Sequence, residues 1–337
     1  MDGIVNINKP TGITSHDIVA QVRRITRQHR VGHTGTLDPL ASGVLPICIG
    51  QATRIAEYLS EGGKTYRATI TFGISTTTYD AEGEVVQSAP VHLTRADLEA
   101  LLPAFLGKQQ QLPPLYSAIK HHGQPLYKLA RTGREVTLQP RLVIIDRLTI
   151  LEWQSPTLTL EIECSKGTYI RSLAHDLGKR AGCGAHLSGL VRLRSGPFRL
   201  EDSISLETFA RHCQENTWAD VLYMPDEALL DYQAIIVGPR TEQRIRHGQG
   251  LTVTDLAPTP FSILWRNPNA KIARPSPASS ASQAGTIADG PTAESYSAEL
   301  PLLRAYTTDG RFIGILRWQP GSGQWHPDKV FDLTSVG

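Results

Sequence analysis

Residues 157–178 read TLTLEIECSKGTYIRSLAHDLG, and two periods meet in them. From 157 to 164, Leu158, Leu160 and Ile162 alternate with Thr157, Thr159 and Glu161, the pattern of a half-buried strand. SKGT then turns directly into YIRSLAHDLG, where Ile170, Leu173, Ala174 and Leu177 share one helix face. Arg171 therefore falls in the first turn of a helix fed by a strand. The helix dipole prefers an acid there, so a cation at this position calls for a carboxylate partner close by.

Working outward, YRATITF (66–72) alternates strictly, with Tyr66, Ala68, Ile70 and Phe72 on one face and Arg67, Thr69 and Thr71 on the other. DAEGE (80–84) follows as a turn. Leu98, Leu101, Leu102 and Phe105 form a helical stripe capped by Thr94. Near the start, Thr14 or Ser15 can cap a helix whose Ile18, Val19, Val22 and Ile25 face one way. Arg23, Arg27 and Arg30, at i, i+4 and i+7, predict a basic stripe on another side, with the helix ending near the glycine of VGHTG. Strands and helices mixed in this order predict an α+β fold, a mixed sheet with flanking helices.

A chain of 337 residues suggests about two domains. Composition breaks after LLDYQ (229–233), so a catalytic-sized domain is expected over 1–230 and a small all-β module over 231–337. In the module, AIIVG, GLTVTDL, FSILW and LLRAYTTDGRFIGILRW are strand-like, and the last holds a hairpin at Asp309-Gly310. Within it, 22 of the 31 residues from 268 to 298 are Ser, Ala, Pro, Gly or Thr, too little apolar surface to offset chain entropy, so a disordered insertion is expected. QQQLPPLYSAIKHHGQ has no periodicity and predicts a long functional loop.

Forty per cent hydrophobic and 20% charged residues are ordinary for a globular chain. No apolar run is long enough to span a membrane, and MDGIVNINKPTG lacks the basic start and apolar core of a secretory signal, so a cytoplasmic protein is expected. Cys48, Cys164, Cys183 and Cys213 are scattered, with no metal-ligand spacing, and neither a zinc site nor a disulfide framework is indicated.

The net charge of +2 announces no nucleic-acid partner, but its distribution does. Between Asp17 and Glu57 the only acid is Asp38, accompanied by Arg23, Arg24, Arg27, Arg30 and Arg54. From 100 to 134 there is no acid at all, against Lys108, Lys120, His121, His122, Lys128, Arg131 and Arg134. Such stretches suit a phosphate backbone, although either alone also reads as a solvated basic face.

Asp38 lies in GHTGTLDPLASGVLP (32–46), a loop-like stretch. An aspartate before proline often merely starts a turn. Here glycines at 32, 35 and 43 and prolines at 39 and 46 suggest a fixed loop, and the arginines around it are expected to depress the carboxyl's pKa and keep it ionised. An ionised, positioned carboxylate can act as nucleophile or base toward a sugar ring. No second acid stands at short range to complete a glycosidase-like pair, and HExxH, GxSxG, P-loop and Rossmann fingerprints are missing. One carboxylate in a basic setting points to chemistry on the nucleic acid itself.

NINKPTGITS, VGHTGTLDPLASGVLPICIGQATR, KTYRATITFG, QLPPLYSAIKHHGQPLYKLAR and CSKGTYIRSLAHDLG, in that order over about residues 1–200, resemble the TruB family of tRNA pseudouridine synthases. The resemblance implies isomerisation of uridine 55 in the T loop of tRNA, by base flipping and without metal or organic cofactor. It implies a pseudouridine-synthase-like mixed sheet with an RNA-binding thumb-like insertion at 108–134, and a C-terminal PUA-like β-barrel. Asp38 matches the family's catalytic aspartate, Tyr66 the tyrosine that stacks on the uracil and removes the C5 proton, and Arg171 the arginine paired with the aspartate, expected to be bidentate. Leu190 falls where a leucine closes the pocket, and His33 matches the histidine that fills space vacated by extruded T-loop bases. Tyr169, beside Arg171 in GTYIR, joins the substrate-binding candidates, and Lys9 sits in a block that supports the active-site loop. Arg23, Arg27, Arg30, Lys120, Lys128 and Arg131 are candidate phosphate contacts.

Physics supports the assignment independently: a base taken from its stack costs a few kcal/mol, and a stacked aromatic returns about 1–3 kcal/mol. Two alternatives stand beside it, a noncatalytic RNA-binding or RNA-folding protein and a guide-RNA-dependent synthase with protein partners. The thumb-like segment favours a stand-alone, monomeric enzyme on the tRNA T stem-loop, with no obligatory protein partner and no membrane.

Overall fold

The computed structural model describes residues 1–114, 138–256 and 302–333, with the backbone of 120–121 and 124–125. The Lys120 side chain, Lys128, Arg131, FSILW and the insertion at 268–298 lie outside the described residues.

In chain order the strands up to the middle are β1 (Gly3–Lys9), β2 (Val31–His33), β3 (Ala41–Ile49), β4 (Lys64–Phe72), β5 (Ile74–Thr76), β6 (Val85–Ser88) and β7 (Gly107–Gln111). Then come β8 (Lys120–His121), β9 (Gln124–Pro125), β10 (Arg141–Gln154), β11 (Thr157–Cys164), β12 (Ala185–Ser195), β13 (Phe198–Arg199) and β14 (Leu222–Tyr223). Ten of them build one sheet in the order β14-β1-β3-β12-β4-β11-β10-β7, with β2 on β3 and β13 on β12. β3 and β12 run parallel, and the other pairings in the sheet are antiparallel. The helices are α1 (Ser15–Thr26), α2 (Ala56–Glu61), α3 (Arg95–Leu101), α4 (Ile170–Arg180), α5 (Leu206–Gln214) and α6 (Pro239–Arg246).

Strand alternation divides the apolar residues between two cores. On one face Val5, Ile7, Leu45, Ile47, Tyr66, Ala68, Ile70 and Phe72 meet Ile18 and Val22 of α1, Leu173 and Leu177 of α4, and Phe209 of α5. On the other, Ile4, Val44 and Cys48 meet Tyr58 and Leu59 of α2 and, from the C-terminal part, Tyr306, Phe312, Ile315 and Phe331. Each large side chain buried there contributes about 1.5–3 kcal/mol.

The stretch 32–46 is less loop-like than its glycines and prolines suggest, because β3 begins at Ala41 and only 34–40 is loop. Pro46 is tolerated inside this strand because it falls in a gap: β12 pairs with β3 at Ala41, Ser42 and Gly43, and β2 joins at Ile47. Helix α1 stops at Thr26, with Arg27 in a left-handed cap at φ 54°, so Arg27 and Arg30 lie beyond it and the expected helical basic stripe does not form. Arg23, Arg27 and Arg30 are nevertheless all exposed.

The C-terminal part is not all β. Its sheet runs β15 (Gln233–Val237), β16 (Leu302–Thr307), β17 (Phe312–Gln319), β18 (Gln324–Val330), with β15 and β16 parallel. The hairpin between β16 and β17 turns at Gly310 (φ 84°) as expected. Helix α6 accompanies this sheet, packed on β17 and β18. GLTVTDL holds a short 3-10 turn at Val253–Leu256, not a strand, because Asp255 accepts from the Thr252 backbone at 2.7 Å and its own N–H donates to the Thr252 hydroxyl at 3.3 Å. The described residues of this part form an open four-stranded sheet.

Candidate active site

The loop carrying Asp38 is fixed from beneath by α1. Thr14 caps that helix in a reciprocal box with Asp17, which leaves Ser15 free for another task. The fully buried Ser15 hydroxyl donates to Leu37 O at 3.0 Å and accepts from Leu37 N at 2.8 Å, pinning the residue before Asp38 on both sides. Gly12 N donates to Pro39 O at 2.8 Å, and Ala41 N to Asp38 O at 3.0 Å. Asp38 does start a turn, but with its backbone carbonyl; its side chain is left for Arg171. Lys9, fully buried, donates from Nζ to Pro10 O at 2.9 Å and Ile13 O at 2.7 Å, holding the NKPTG turn that touches Pro39. Burial lowers its ammonium to about 8, with Asp38 opposing.

Arg171, the second residue of α4, points at Asp38, its Nε 3.0 Å from Oδ2. The expected bidentate pair is not formed, because the guanidinium is shared: Nη1 lies 3.2 Å from Oδ2 of Asp80. The second acid that the sequence lacked at short range is thus brought in by the fold, on the opposite side of a cation rather than across a sugar-sized gap. Arg171 and Asp80 are buried, with side chains 7% and 4% exposed, whereas Asp38 keeps 40%. The helix start is held by Gln111, which donates to Tyr169 O at 3.0 Å and accepts from Tyr169 N at 2.7 Å. Ser172 donates to Leu112 O at 2.8 Å. The opening residues of the thumb-like segment therefore fix the turn of helix that carries Arg171.

The expected depression of the Asp38 carboxyl is corrected by this packing. Protein crowds the group from most sides and desolvation pushes its pKa up; Asp80 adds to the rise, and Arg171 followed by Lys9 opposes it. The flanking arginines of the sequence are too far out in solvent to decide the sign.

Tyr66 and Leu190 face the same core. In the antiparallel register of β12 and β4, Leu190 lies opposite Ala68 and Arg192 opposite Tyr66. Tyr66 is 7% exposed and close enough to Asp38 for that charge to raise its pKa, although burial is the larger cause. Leu190 is half-buried at the start of the β3–β12 contact, opposite Ala41 and three residues on from Asp38 in β3's approach. His33, at the end of β2, meets His16 edge-on at 5.5 Å, and burial lowers its imidazole to about 4, so it is neutral near pH 7. Of the arginines, Arg23 spends its Nη2 on Val31 O at 2.9 Å, bridging α1 to β2.

Asp80 and Ser15 were not legible as site residues. DAEGE reads as a solvated turn, and the one available signal was the misplaced cation at Arg171 asking for acid. Asp80 reaches it because Tyr79 takes a left-handed backbone (φ 65°) and stacks on His175, one helical turn from Arg171, at 3.9 Å. An open pocket lined by Phe72, Ile74, Val91 and Pro156 lies at the other end of β4, six residues from Tyr66 or about 20 Å along the strand, and contains none of the candidate residues. Among the described residues no cluster of His, Cys, Asp or Glu has metal-binding geometry, and no helix is long and apolar enough to cross a membrane.

The ten-stranded mixed sheet and its flanking helices carry Asp38 on the loop before β3 and Arg171 at the start of α4. The structure overlays on an H/ACA ribonucleoprotein bound to a substrate RNA containing 2′-deoxyuridine with a TM-score of 0.67 at 21% identity, covering 98% of this chain and 85% of that one. The profile described as TruB family pseudouridylate synthase (N terminal domain) matches residues 23–170, and the tRNA pseudouridylate synthase B C-terminal domain profile matches 171–232. A protein of Bacillus cytotoxicus named tRNA pseudouridine synthase B is 43% identical over 80% of this chain and 90% of its own length. One of the same name from Geobacter sulfurreducens is 47% identical over 74% and 82%. The chain belongs to the TruB family.

Proposed function

We propose that this protein is a stand-alone tRNA pseudouridine synthase that isomerises uridine 55 of the T loop. The observation that carries this is the Asp38 carboxylate, held 3.0 Å from Arg171 and still 40% exposed, while the groups that hold it are buried. In the reaction the N1–C1′ bond breaks, the base turns, and C5 bonds to C1′; the C5 proton leaves and N1 gains one, so substrate and product are isomers. Asp38 acts on the sugar–base junction of a flipped uridine as nucleophile or base, and Arg171 keeps it aimed and charged. Asp80 positions Arg171. Tyr66 lies on the strand beside this recess, where it stacks on the flipped base and takes the C5 proton. Leu190 closes the pocket and His33, neutral and apolar-sided, fills the space left by extruded bases, with Tyr169 at the rim. No metal or organic cofactor takes part.

Residues 1–230 form the catalytic domain in this scheme, with 108–134 as a thumb against the T stem-loop. The module at 231–337 is PUA-like and helps hold the tRNA. Arg23, Arg27, Arg30, Lys120, Lys128 and Arg131 contact phosphates, and the enzyme works as a cytoplasmic monomer without protein partners. Purified protein mixed with a bare T stem-loop carrying tritium at uridine C5 tests the reading: release of tritium supports it, and none would remove the stand-alone synthase.

Two substitutions probe the roles. Tyr66→Phe keeps the ring and loses the hydroxyl, so RNA affinity should hold within a few fold while turnover falls about 10²–10⁴-fold, the range of a lost acid–base group; wild-type turnover would make the hydroxyl dispensable. Asp80→Asn removes a charge that raises the Asp38 pKa. Because the ionised form of Asp38 is the active one, the rate falls as pH drops through that pKa, and the acid limb should move to lower pH in the variant. Its plateau should fall about 10²-fold as Arg171 loses its anchor. An unmoved limb in the pH–rate profile would separate Asp80 from the site.

A further inference from the structure

Among the described residues Arg192 is the largest of the fully buried side chains, 1% exposed. Its Nε donates to Val44 O at 2.7 Å and its Nη2 to Gly35 O at 3.0 Å. Across the register of β12 and β4 Arg192 stands opposite Tyr66, close enough for its charge to pull the phenol's pKa down. Among the described residues no carboxylate forms an ion pair with it. A buried charge is ordinarily matched by an opposite one, because desolvating an ion costs several kcal/mol. Here both hydrogen bonds go to neutral carbonyls, and the cross-strand neighbour, a phenol, is a group that can become an anion.

The backbone is shaped around this side chain. A Cβ on Gly35 would stand 3.4 Å from Nη1, and a Cβ on Gly43 would stand 2.3 Å from Arg192 O, at a φ of 100° that favours glycine. Gly35 and Gly43 bracket Asp38, so two glycines of the Asp38 segment admit Arg192, one at its guanidinium and one at its backbone.

We propose that Arg192 is a positioning residue of the reaction: one guanidinium, bonded to the loop bearing Asp38 and opposite Tyr66 across the strand pair, supplies the positive charge that a phenolate at Tyr66 needs. The inference rests on the proton-acceptor role given to Tyr66 above. In the final step the C5–H bond breaks, its electron pair restores the C5–C6 double bond, and the proton passes to the phenolate oxygen, whose own proton has left earlier to solvent. Burial works against such a phenolate, as do the Cys164 thiol and the Asp38 carboxylate, and the charge of Arg192 works for it. The fork geometry of guanidinium spans Gly35 O and Val44 O together, which a single ammonium does not.

The test compares Arg192→Gln, which removes the charge, with Arg192→Lys, which keeps it, in single-turnover assays across pH on a tRNA transcript. The phenolate is the active form, so the rate rises with pH through the Tyr66 pKa, and loss of the neighbouring charge raises that pKa. Arg192→Gln should move the rising limb up by about one pH unit and cut the rate about 10²-fold at unchanged KM. Arg192→Lys should leave the limb in place and cut the rate about tenfold. A folded glutamine variant with the wild-type limb overturns the proposal. If that variant does not fold, the lysine variant decides alone, and a wild-type rate in it overturns the proposal. Should Tyr66→Phe itself turn over normally, the reading of Tyr66 falls; should Tyr66→Phe be impaired while both Arg192 profiles match the wild type, only the role of Arg192 falls.

Discussion

Asp38→Asn should abolish pseudouridine formation, with a rate at least about 10⁴-fold below the wild type, while tRNA affinity stays within a few fold. The amide has the carboxylate's shape, so the loop pinned by Ser15 and Gly12 has no reason to move. What it lacks is the negative charge that reacts at the sugar–base junction and that Arg171 was placed to hold. Arg171 retains Asp80 as a partner in the variant, so the loss should appear in single-turnover rate and not in the melting curve. Turnover within tenfold of the wild type would take Asp38 out of the mechanism.

Arg171→Met should damage both activity and stability. It strips the counter-ion from two carboxylates, one of them, Asp80, with a side chain 4% exposed. Removing one partner of a buried pair destabilises by about 3–5 kcal/mol, because the remaining Asp80 charge has lost its water and its cation and keeps only the Thr78 hydroxyl and the Glu82 N–H. The rate should fall by 10² or more, about the effect of misplacing a reacting group by an ångström. A double variant with Asp80→Asn separates the two effects: removal of the orphaned charge should restore part of the lost stability and none of the lost rate. Denaturant melts and single-turnover assays on the four proteins measure this, and a stable, active Arg171→Met would mean that the cation is a bystander.

How far these residues were legible depends on how local their signals are. β4, β11 and α4 follow their periodicities closely, because each buries one face against a neighbour and the sequence shows that face. Arg171 announced its need for an acid through its position in the first turn. Which acids answered depended on contacts between segments far apart in sequence, one across Tyr79's left-handed backbone, and no local pattern carries that. The end of α1 was misjudged because Arg27 and Arg30 keep the helical period after the backbone has left the helix at a left-handed cap. In the C-terminal part, PRTEQRIR makes α6 with Ile245 as its one fully buried residue, too faint a stripe to recognise. β18 was hidden by Pro327 and by its polar residues; among the described residues it ends the four-stranded sheet, bridged on its outer side only by Leu251 at Trp325. The sign of the Asp38 pKa was misjudged for a related reason: counting nearby arginines says nothing about desolvation, which only the packed structure supplies.

The most direct test of the central claim is to incubate the wild type and Asp38→Asn with an unmodified tRNA transcript and map pseudouridine at nucleotide resolution. The account predicts one modified position, uridine 55, with the wild type and none with the variant. Modification by Asp38→Asn, or a wild-type product at another position with uridine 55 untouched, would contradict it.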